Sequence, residues 1–139
     1  NMIYIGADNS AHRPYMIHRA VLGSVERFFA TLLEYHSGNL PLWLAPVQIM
    51  LIPITDNQLE YAHTIEIQLL EQGFRCELDS RSEKMGYKIR EAEKNKIPFM
   101  CILGKNEAEN NKVTLRQHTV GDLGAMTIEE ATAILRREL

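Results

Sequence analysis

The spacing of hydrophobic positions divides the chain into a helical stretch near its N-terminus and a series of shorter segments that begins at Val47. Residues 2–5 are typical of a short strand. Residues 18–36 carry apolar side chains at helical spacing, which predicts a long helix with a wide apolar face. The sequence Ser37-Gly38-Asn39 follows, and a glycine in this position commonly ends a helix.

Short apolar runs alternate with amphipathic segments in the rest of the chain. The predicted strands are residues 47–54, 74–78, 98–103 and 112–118, and the predicted helices are residues 59–73, 84–95 and 127–138. The middle helix should turn Met85, Ile89 and Ala92 inward. Thr127 and Glu130 form a capping box for the last helix.

This order of elements predicts an α/β fold. Strands joined by helices pair in parallel with right-handed crossovers, whereas the later strands can add in the antiparallel sense. We expect a three-layer α/β/α domain with a mixed, mainly parallel sheet of about five strands. The proline-rich linker Pro41–Pro46 places the expected domain boundary between residues 1–46, with a strand and a long helix, and residues 47–139.

Charge is unevenly distributed along the chain, although the formal net charge is only -3. Residues 74–118 hold ten Lys/Arg and seven Asp/Glu, a formal charge of +3 in an otherwise acidic chain. Such a basic band is a weak indication of RNA binding, and a solvated surface would look the same. No apolar run approaches the ~20 residues that a membrane span needs, so no membrane association is expected.

Cys76 and Cys101 lie in apolar strand-like segments. Buried reduced thiols of a cytosolic protein are the favoured interpretation, with a disulfide or a metal pair as alternatives. The chain has neither a glycine-rich phosphate loop nor a Cys-x-x-Cys motif, which argues against a nucleotide-binding or redox domain.

Four strings of residues resemble one family, in the family's order. HRPYMIHRAVLGSVERFFATLLE, at 12–34, resembles the third signature motif of class II aminoacyl-tRNA synthetases. PLWLAPVQIMLIPITD, at 41–56, is similar to the junction between a catalytic and an anticodon-binding domain. EKMGYKIREAEKNKIPFMCILGKNE, at 83–107, and GDLGAMTIEEA, at 121–131, resemble the anticodon-binding domain itself. The resemblance is greatest to the threonyl-tRNA synthetase family and covers essentially the whole chain.

The resemblance implies that residues 1–46 are the end of a catalytic domain that attaches threonine to tRNA with ATP and magnesium. Arg27 matches the arginine that binds ATP phosphates, for which a guanidinium fork is suited. His18 matches one of three protein ligands to a zinc ion that selects threonine by its hydroxyl group. The other ligands would precede Asn1, so we expect this chain to be a C-terminal part of the enzyme, without bound cofactors and without aminoacylation activity.

The resemblance also implies which residues face the RNA. Glu107 and Arg116 match a glutamate and an arginine on neighbouring strands that read a guanine at the middle anticodon position. A carboxylate accepts hydrogen bonds from guanine N1 and N2, and an arginine donates to O6 and N7. The alternative interpretation of Glu107 and Arg116 is a cross-strand ion pair.

Five further positions come from the basic band. Lys84 and Lys88 share a helix face and suit phosphates near the helix N-terminus, whereas Arg90 points elsewhere and would brace the fold or loop. Ser82 stands where the family commonly has an asparagine that touches a base, so this contact would be weaker or mediated by water. Tyr87 could stack on a base or pack in the core.

Two functions therefore follow from the sequence. The first is recognition of threonine tRNA by a cytoplasmic synthetase whose intact members are dimers. The second is an adaptor or dimerisation module built on the same C-terminal fold.

Overall fold

The computed structural model describes residues 2–139, and its contacts form two compact units that divide between Leu32 and Leu33. In the first unit, β1 (Tyr4–Ile5) and β2 (Ala11–His12) form an antiparallel hairpin. Helix α1 (Val25–Tyr35) begins in this unit and ends in the second.

The predicted start of the long helix at His18 is wrong, because α1 begins at Val25. Gly23 has a φ of 68°, a left-handed conformation that interrupts a helix. Ser24 then accepts a hydrogen bond from the Arg27 N–H at 3.3 Å, as a residue that caps a helix does. At the other end, the Gly38 N–H bonds to the Leu33 carbonyl, which confirms the predicted stop.

The second unit, Leu33–Leu139, is built on a five-stranded sheet. The strands are β3 (Ile49–Pro53), β4 (Cys76–Leu78), β5 (Phe99–Leu103), β6 (Lys112–Gln117) and β7 (Gly121–Thr127), in the order β4-β3-β5-β6-β7. The first three are parallel, and β6 and β7 add antiparallel. The predicted mixed sheet of about five strands is confirmed.

Helices cover both faces of this sheet. They are α2 (Leu59–Glu71), which follows a 3-10 turn at Asp56–Gln58, α3 (Met85–Lys94), α4 (Lys105–Asn110) and α5 (Ile128–Arg137). Alternate strand residues pack with α2 and α5 on one face and with α3 on the other. This is the predicted three-layer arrangement.

The segment before the first long strand packs into the second unit. Leu42 and Ala45 are buried, and the Gln48 side-chain amide donates to the Leu42 carbonyl at 2.8 Å. The Arg75 guanidinium donates to the carbonyls of Trp43 at 2.9 Å and Ala45 at 2.8 Å. The boundary at Pro46 stays a prediction about domain organisation.

Both cysteines are free thiols, as predicted, but only Cys101 is buried, whereas Cys76 is half-buried. Burial raises the pKa of Cys76 to about 11 and that of Cys101 to about 12, which favours the protonated thiol at neutral pH. Among residues 2–139, no helix is both long enough and apolar enough to cross a bilayer.

Candidate nucleic-acid interface

Glu107 lies in α4, a short helix that the sequence pattern did not predict, rather than on a strand. The expected placement on neighbouring strands is therefore wrong for this residue. Gly104 lies between β5 and α4 as the N-cap residue of α4, and the Glu107 carboxylate accepts its N–H at 3.0 Å. The second carboxylate oxygen accepts the Thr114 hydroxyl at 2.9 Å. Two donors from two elements thus orient Glu107, and a carboxylate retains lone pairs for a further donor.

Arg116 lies on β6, as predicted, but its carboxylate partner is Glu93 of α3. Arg116 Nη2 and Nε donate to one Glu93 oxygen at 3.0 and 3.3 Å. The cross-strand ion pair with Glu107 does not form, so the alternative interpretation of this pair is wrong. Neither bond uses Nη1, and the side chain is 31% exposed, so the guanidinium is held in place with donors to spare.

Thr114 relates the positions of these two residues, because it bonds to Glu107 and lies on the same strand as Arg116. Thr114 and Arg116 are two apart on β6, and opposite them on β5 lie Ile102 and Met100, which face α3. Ala125, paired with Thr114 on β7, is exposed, so this side of β6 and β7 is open to solvent. Glu107 and Arg116 therefore stand near one another beside an accessible part of the sheet.

A second cluster follows β4, at the carboxyl ends of the parallel strands, where open α/β sheets commonly bind ligands. Asp79 is buried, and its carboxylate accepts from Arg81 Nε at 2.9 Å and Nη2 at 2.6 Å. This bidentate pair holds the pKa of the Asp79 carboxyl below its usual range against the opposing effect of burial. The pair fixes the loop that carries Ser82 and Lys84.

Lys88 requires a correction, because its side chain is only 4% exposed rather than facing phosphates. Its ammonium donates to the carbonyls of Asp79 at 3.0 Å and Pro53 at 3.3 Å. The group lies under the loop and joins the ends of β3 and β4. Any contribution of Lys88 to RNA binding would therefore be indirect.

Ser82 and Lys84 are exposed at the start of α3 and line a cleft of about 350 Å³. Arg81 and Lys88 line the same cleft, with Asp56 and Glu83 as the acidic members. Arg90 is exposed on α3, away from the cleft lining. The roles of these residues toward RNA stay predictions.

The structure therefore brings the predicted residues together in two places, at the two ends of α3. Ser82 and Lys84 lie near its beginning, and Arg116 is bound to Glu93 near its end. A helix rises 1.5 Å per residue, so Lys84 and Glu93 are about 14 Å apart along the axis.

The sequence reasoning missed Glu93, Thr114, Asp79 and Arg81. Spacing on the strand held a signal for Thr114, because residues two apart share a face of a strand. The i, i+2 pair Asp79 and Arg81 directly after a strand is typical of a side-chain-stabilised turn. Glu93 carried no local signal, since its partner lies 23 residues further along the chain.

The two predicted catalytic-domain residues lie in the first unit. His18 and Arg27 are both exposed, and Arg27 is on α1. Within residues 2–139 there is no group of three His, Cys, Asp or Glu side chains that could hold a metal.

The second unit is thus a three-layer α/β domain with a fixed glutamate and arginine beside an open sheet surface and a lysine-bearing cleft, and these are side chains that proteins use to contact bases and phosphates. The anticodon binding domain family matches residues 48–138. The chain belongs to this family.

The relatives of highest similarity that were compared are threonine–tRNA ligases. The chain is 48% identical over all 139 residues to the threonine–tRNA ligase of Clostridium tetani, and covers 22% of that protein. It is 54% identical over 128 residues, or 92% of its length, to the ligase of a Sulfurihydrogenibium species, of which it covers 20%. The chain thus spans about a fifth of the length of these curated relatives.

A solved structure agrees with these matches. The RNA binding domain of threonyl-tRNA synthetase from Cryptosporidium parvum Iowa II aligns with a TM-score of 0.79 and 36% identity. The alignment covers 92% of this chain and 32% of that one. The fold of the second unit and its similarity to threonyl-tRNA synthetases are thereby established.

Proposed function

We propose that this chain recognises the anticodon of threonine-specific tRNA, as part of a threonine–tRNA ligase. The observation that carries the proposal is the fixed pair of Glu107 and Arg116 beside the open side of β6 and β7. The family is named for anticodon binding, and the similar solved structure is described as an RNA binding domain. Both descriptions support RNA as the partner.

The chemistry of the pair suits a guanine. Glu107 accepts hydrogen bonds from the N1 and N2 groups, and Arg116 donates to O6 and N7. Thr114 and Glu93 hold the two side chains before RNA arrives, so less conformational entropy is lost on binding. Adenine carries an amino group where guanine has O6, and it lacks the N1 and N2 hydrogens. The site would therefore discriminate between the two purines.

Replacement of Arg116 by alanine tests this proposal. We expect Arg116→Ala to weaken binding of threonine tRNA by about 1–3 kcal/mol and to reduce the preference for guanine over adenine at the middle anticodon position. The full chain is titrated with threonine tRNA and with the same tRNA carrying adenine at the middle anticodon position. Both titrations are done at ~50 mM salt, where phosphate contacts are strong, and they give the loss of affinity and the loss of selectivity. Arg137→Ala, an exposed arginine in the last turn of α5, is the matched control.

Two results would overturn the proposal. Equal affinity of the unaltered chain for the two tRNAs would show that the middle base is not read. No binding at ~50 mM salt would favour an adaptor that associates with protein instead. The exposed apolar side chains Ile17, Val21 and Val25 of the first unit would then be the surface to investigate.

The reaction of the whole protein is a further part of the proposal. We infer ATP-dependent activation of threonine and its transfer to tRNA, in the cytoplasm, by an enzyme that is a dimer when intact. Arg27 would contact ATP phosphates, and His18 would supply one zinc ligand beside ligands from outside this chain. The 139 residues would bind RNA without aminoacylating it, which an aminoacylation assay on this chain can test.

A further inference from the structure

Glu93 meets Arg116 in a geometry that occupies one edge of the guanidinium and leaves another edge free. One Glu93 oxygen accepts from both Nε and Nη2, so the two bonds lie on the side of the planar group that these nitrogens share. The outer edge, which is formed by Nη1 and the second hydrogen of Nη2, takes part in neither bond. Arg116 therefore presents this outer edge, a fork of two donors, to a further acceptor.

The position of Glu93 in its helix is unfavourable for a negative charge. Glu93 is the last residue but one of α3 (Met85–Lys94), and the C-terminal end of a helix carries the negative end of the helix dipole. Its ion pair with Arg116 is partly exposed, and such pairs contribute little to stability. The stability of the fold therefore gives little reason for a glutamate at this position.

The Glu93 carboxylate also changes which part of an RNA the arginine attracts. A guanidinium fork by itself suits the oxygens of a phosphate as well as O6 and N7 of guanine. A phosphate that approached Arg116 would be repelled by the carboxylate of Glu93 and by that of nearby Glu107. The edge of guanine carries no net charge, so it is repelled much less. The two carboxylates thus favour a base over a phosphate as the partner of Arg116.

We propose that Glu93 is a positioning residue that directs the outer edge of Arg116 to a base and keeps this arginine from binding a phosphate. The proposal rests on the proposed function and names a residue that determines the specificity of the same site. Phosphate contacts carry no sequence information, whereas base contacts distinguish one sequence from another. Glu93 therefore lowers the affinity for any RNA and raises the selectivity for guanine.

The experiment titrates the full chain with two anticodon stem–loops of threonine tRNA, one with guanine and one with adenine at the middle position. We expect Glu93→Ala to bind the adenine stem–loop about 2- to 5-fold more tightly, because the released guanidinium gains a phosphate contact. The preference for guanine should fall by about 2- to 13-fold, since a free arginine must be ordered before it can contact the base.

The salt dependence of binding measures the predicted phosphate contact. Titrations between ~50 and ~200 mM salt give the slope of log K against log salt concentration, which changes by about 0.7 for each phosphate contacted in a single strand. We expect the slope for Glu93→Ala to be steeper by about 0.7 than that for the unaltered chain. A role of Glu93 in folding alone would not make the slope steeper.

Two further variants serve as controls. Glu91→Ala removes the same charge from the same helix, but Glu91 pairs with Lys94 at 4.0 Å rather than with Arg116. Glu91→Ala should therefore leave both the slope and the preference for guanine unchanged. Glu93→Gln keeps an acceptor for Arg116, so it should retain more of the guanine preference than Glu93→Ala does. Urea unfolding should give all three variants the stability of the unaltered chain.

The outcomes separate the role of Glu93 from the proposed function. If the unaltered chain does not distinguish the two stem–loops, the proposed function itself fails. If it selects guanine, and Glu93→Ala selects guanine equally well with an unchanged slope, Glu93 is not a positioning residue and anticodon recognition stands. Weaker binding of Glu93→Ala to both stem–loops, together with lower stability, would also overturn the proposal, because Glu93 would then support only the fold.

Discussion

At the scale of single residues, Lys88 shows how one buried charge can support a binding loop that it does not expose. Its ammonium lies between two backbone carbonyls at the ends of β3 and β4. A buried charged group is tolerated only when its hydrogen-bonding partners are in place. Lys88 therefore stabilises the loop that carries Ser82 and Lys84.

Replacement of Lys88 by methionine should destabilise the chain, because the shape is kept while the carbonyls of Asp79 and Pro53 lose their donor. We expect the free energy of unfolding to fall by about 1–3 kcal/mol. Urea unfolding followed by circular dichroism measures it, with Lys84→Met as the control, since Lys84 is exposed. Unchanged stability together with a smaller salt dependence of RNA binding would instead identify Lys88 as a phosphate ligand.

The position of Lys88 was within reach of the sequence, whereas the partner of Arg116 was not. Lys88 lies four residues before buried Ala92, so helical spacing places both on the inward face, whereas Met85, which was also predicted to face inward, is exposed. The positive charge of Lys88 led instead to the prediction that it lies on the exposed face of the helix and contacts phosphates. Glu93 meets Arg116 only through the packing of α3 on the sheet, and no local pattern indicates such a contact.

At the scale of elements, the last helix has the clearest local signal for its start. The Thr127 hydroxyl accepts the Glu130 N–H at 3.3 Å, and the Glu130 carboxylate accepts the Thr127 N–H at 2.9 Å. The predicted capping box is thereby confirmed. Ala131 and Leu135 of this helix lie in the core, so the start of α5 bears on the stability of the whole unit.

Thr127→Ala should lower the free energy of unfolding by about 1 kcal/mol, because the first turn of α5 loses a side-chain acceptor. Thermal or urea unfolding gives the value. Thr64→Ala is a matched control, since the Thr64 hydroxyl is exposed and bonds only to the Glu60 carbonyl within α2. A loss as large in the control as at Thr127 would show that the capping box contributes nothing specific.

Two elements were predicted less well, for different physical reasons. Helix α1 begins seven residues later than its apolar spacing suggests, because hydrophobic periodicity does not detect a glycine in the left-handed region. Helix α4 has no buried residues and only six positions, so it has no amphipathic pattern to detect. Glu107, whose carboxylate accepts the N–H of the N-cap residue of α4, is also the candidate residue for base recognition. The sequence analysis considered only this second role and therefore placed Glu107 on a strand.

At the scale of the whole molecule, the layer order followed from the sequence because each strand–helix–strand unit has one favoured handedness. The domain boundary at Pro46 stays a prediction. Pro41 and Pro46 suggested a linker, but the segment between them contributes Leu42 and Ala45 to the core of the second unit. Proline content indicates an irregular backbone and says little about burial.

This packing leads to opposite expectations for two shortened chains. Residues 33–139 should unfold with nearly the stability of the full chain, because this unit contains its own sheet, helices and core. Residues 47–139 should be less stable by several kcal/mol: loss of a buried leucine alone costs about 2–5 kcal/mol, and Arg75 loses its carbonyl acceptors as well. Leu42→Ala in the full chain separates the leucine from the backbone contacts.

Urea unfolding of both shortened chains and of the Leu42→Ala variant gives the three values, and titration with threonine tRNA shows whether binding follows stability. Residues 33–139 should bind as the full chain does, because Glu107 and Arg116 both lie within them. Equal stability of residues 47–139 and 33–139 would contradict the structural role of the segment and support a domain boundary at Pro46. Loss of tRNA binding in a stably folded 33–139 chain would place an RNA-binding determinant in the first unit.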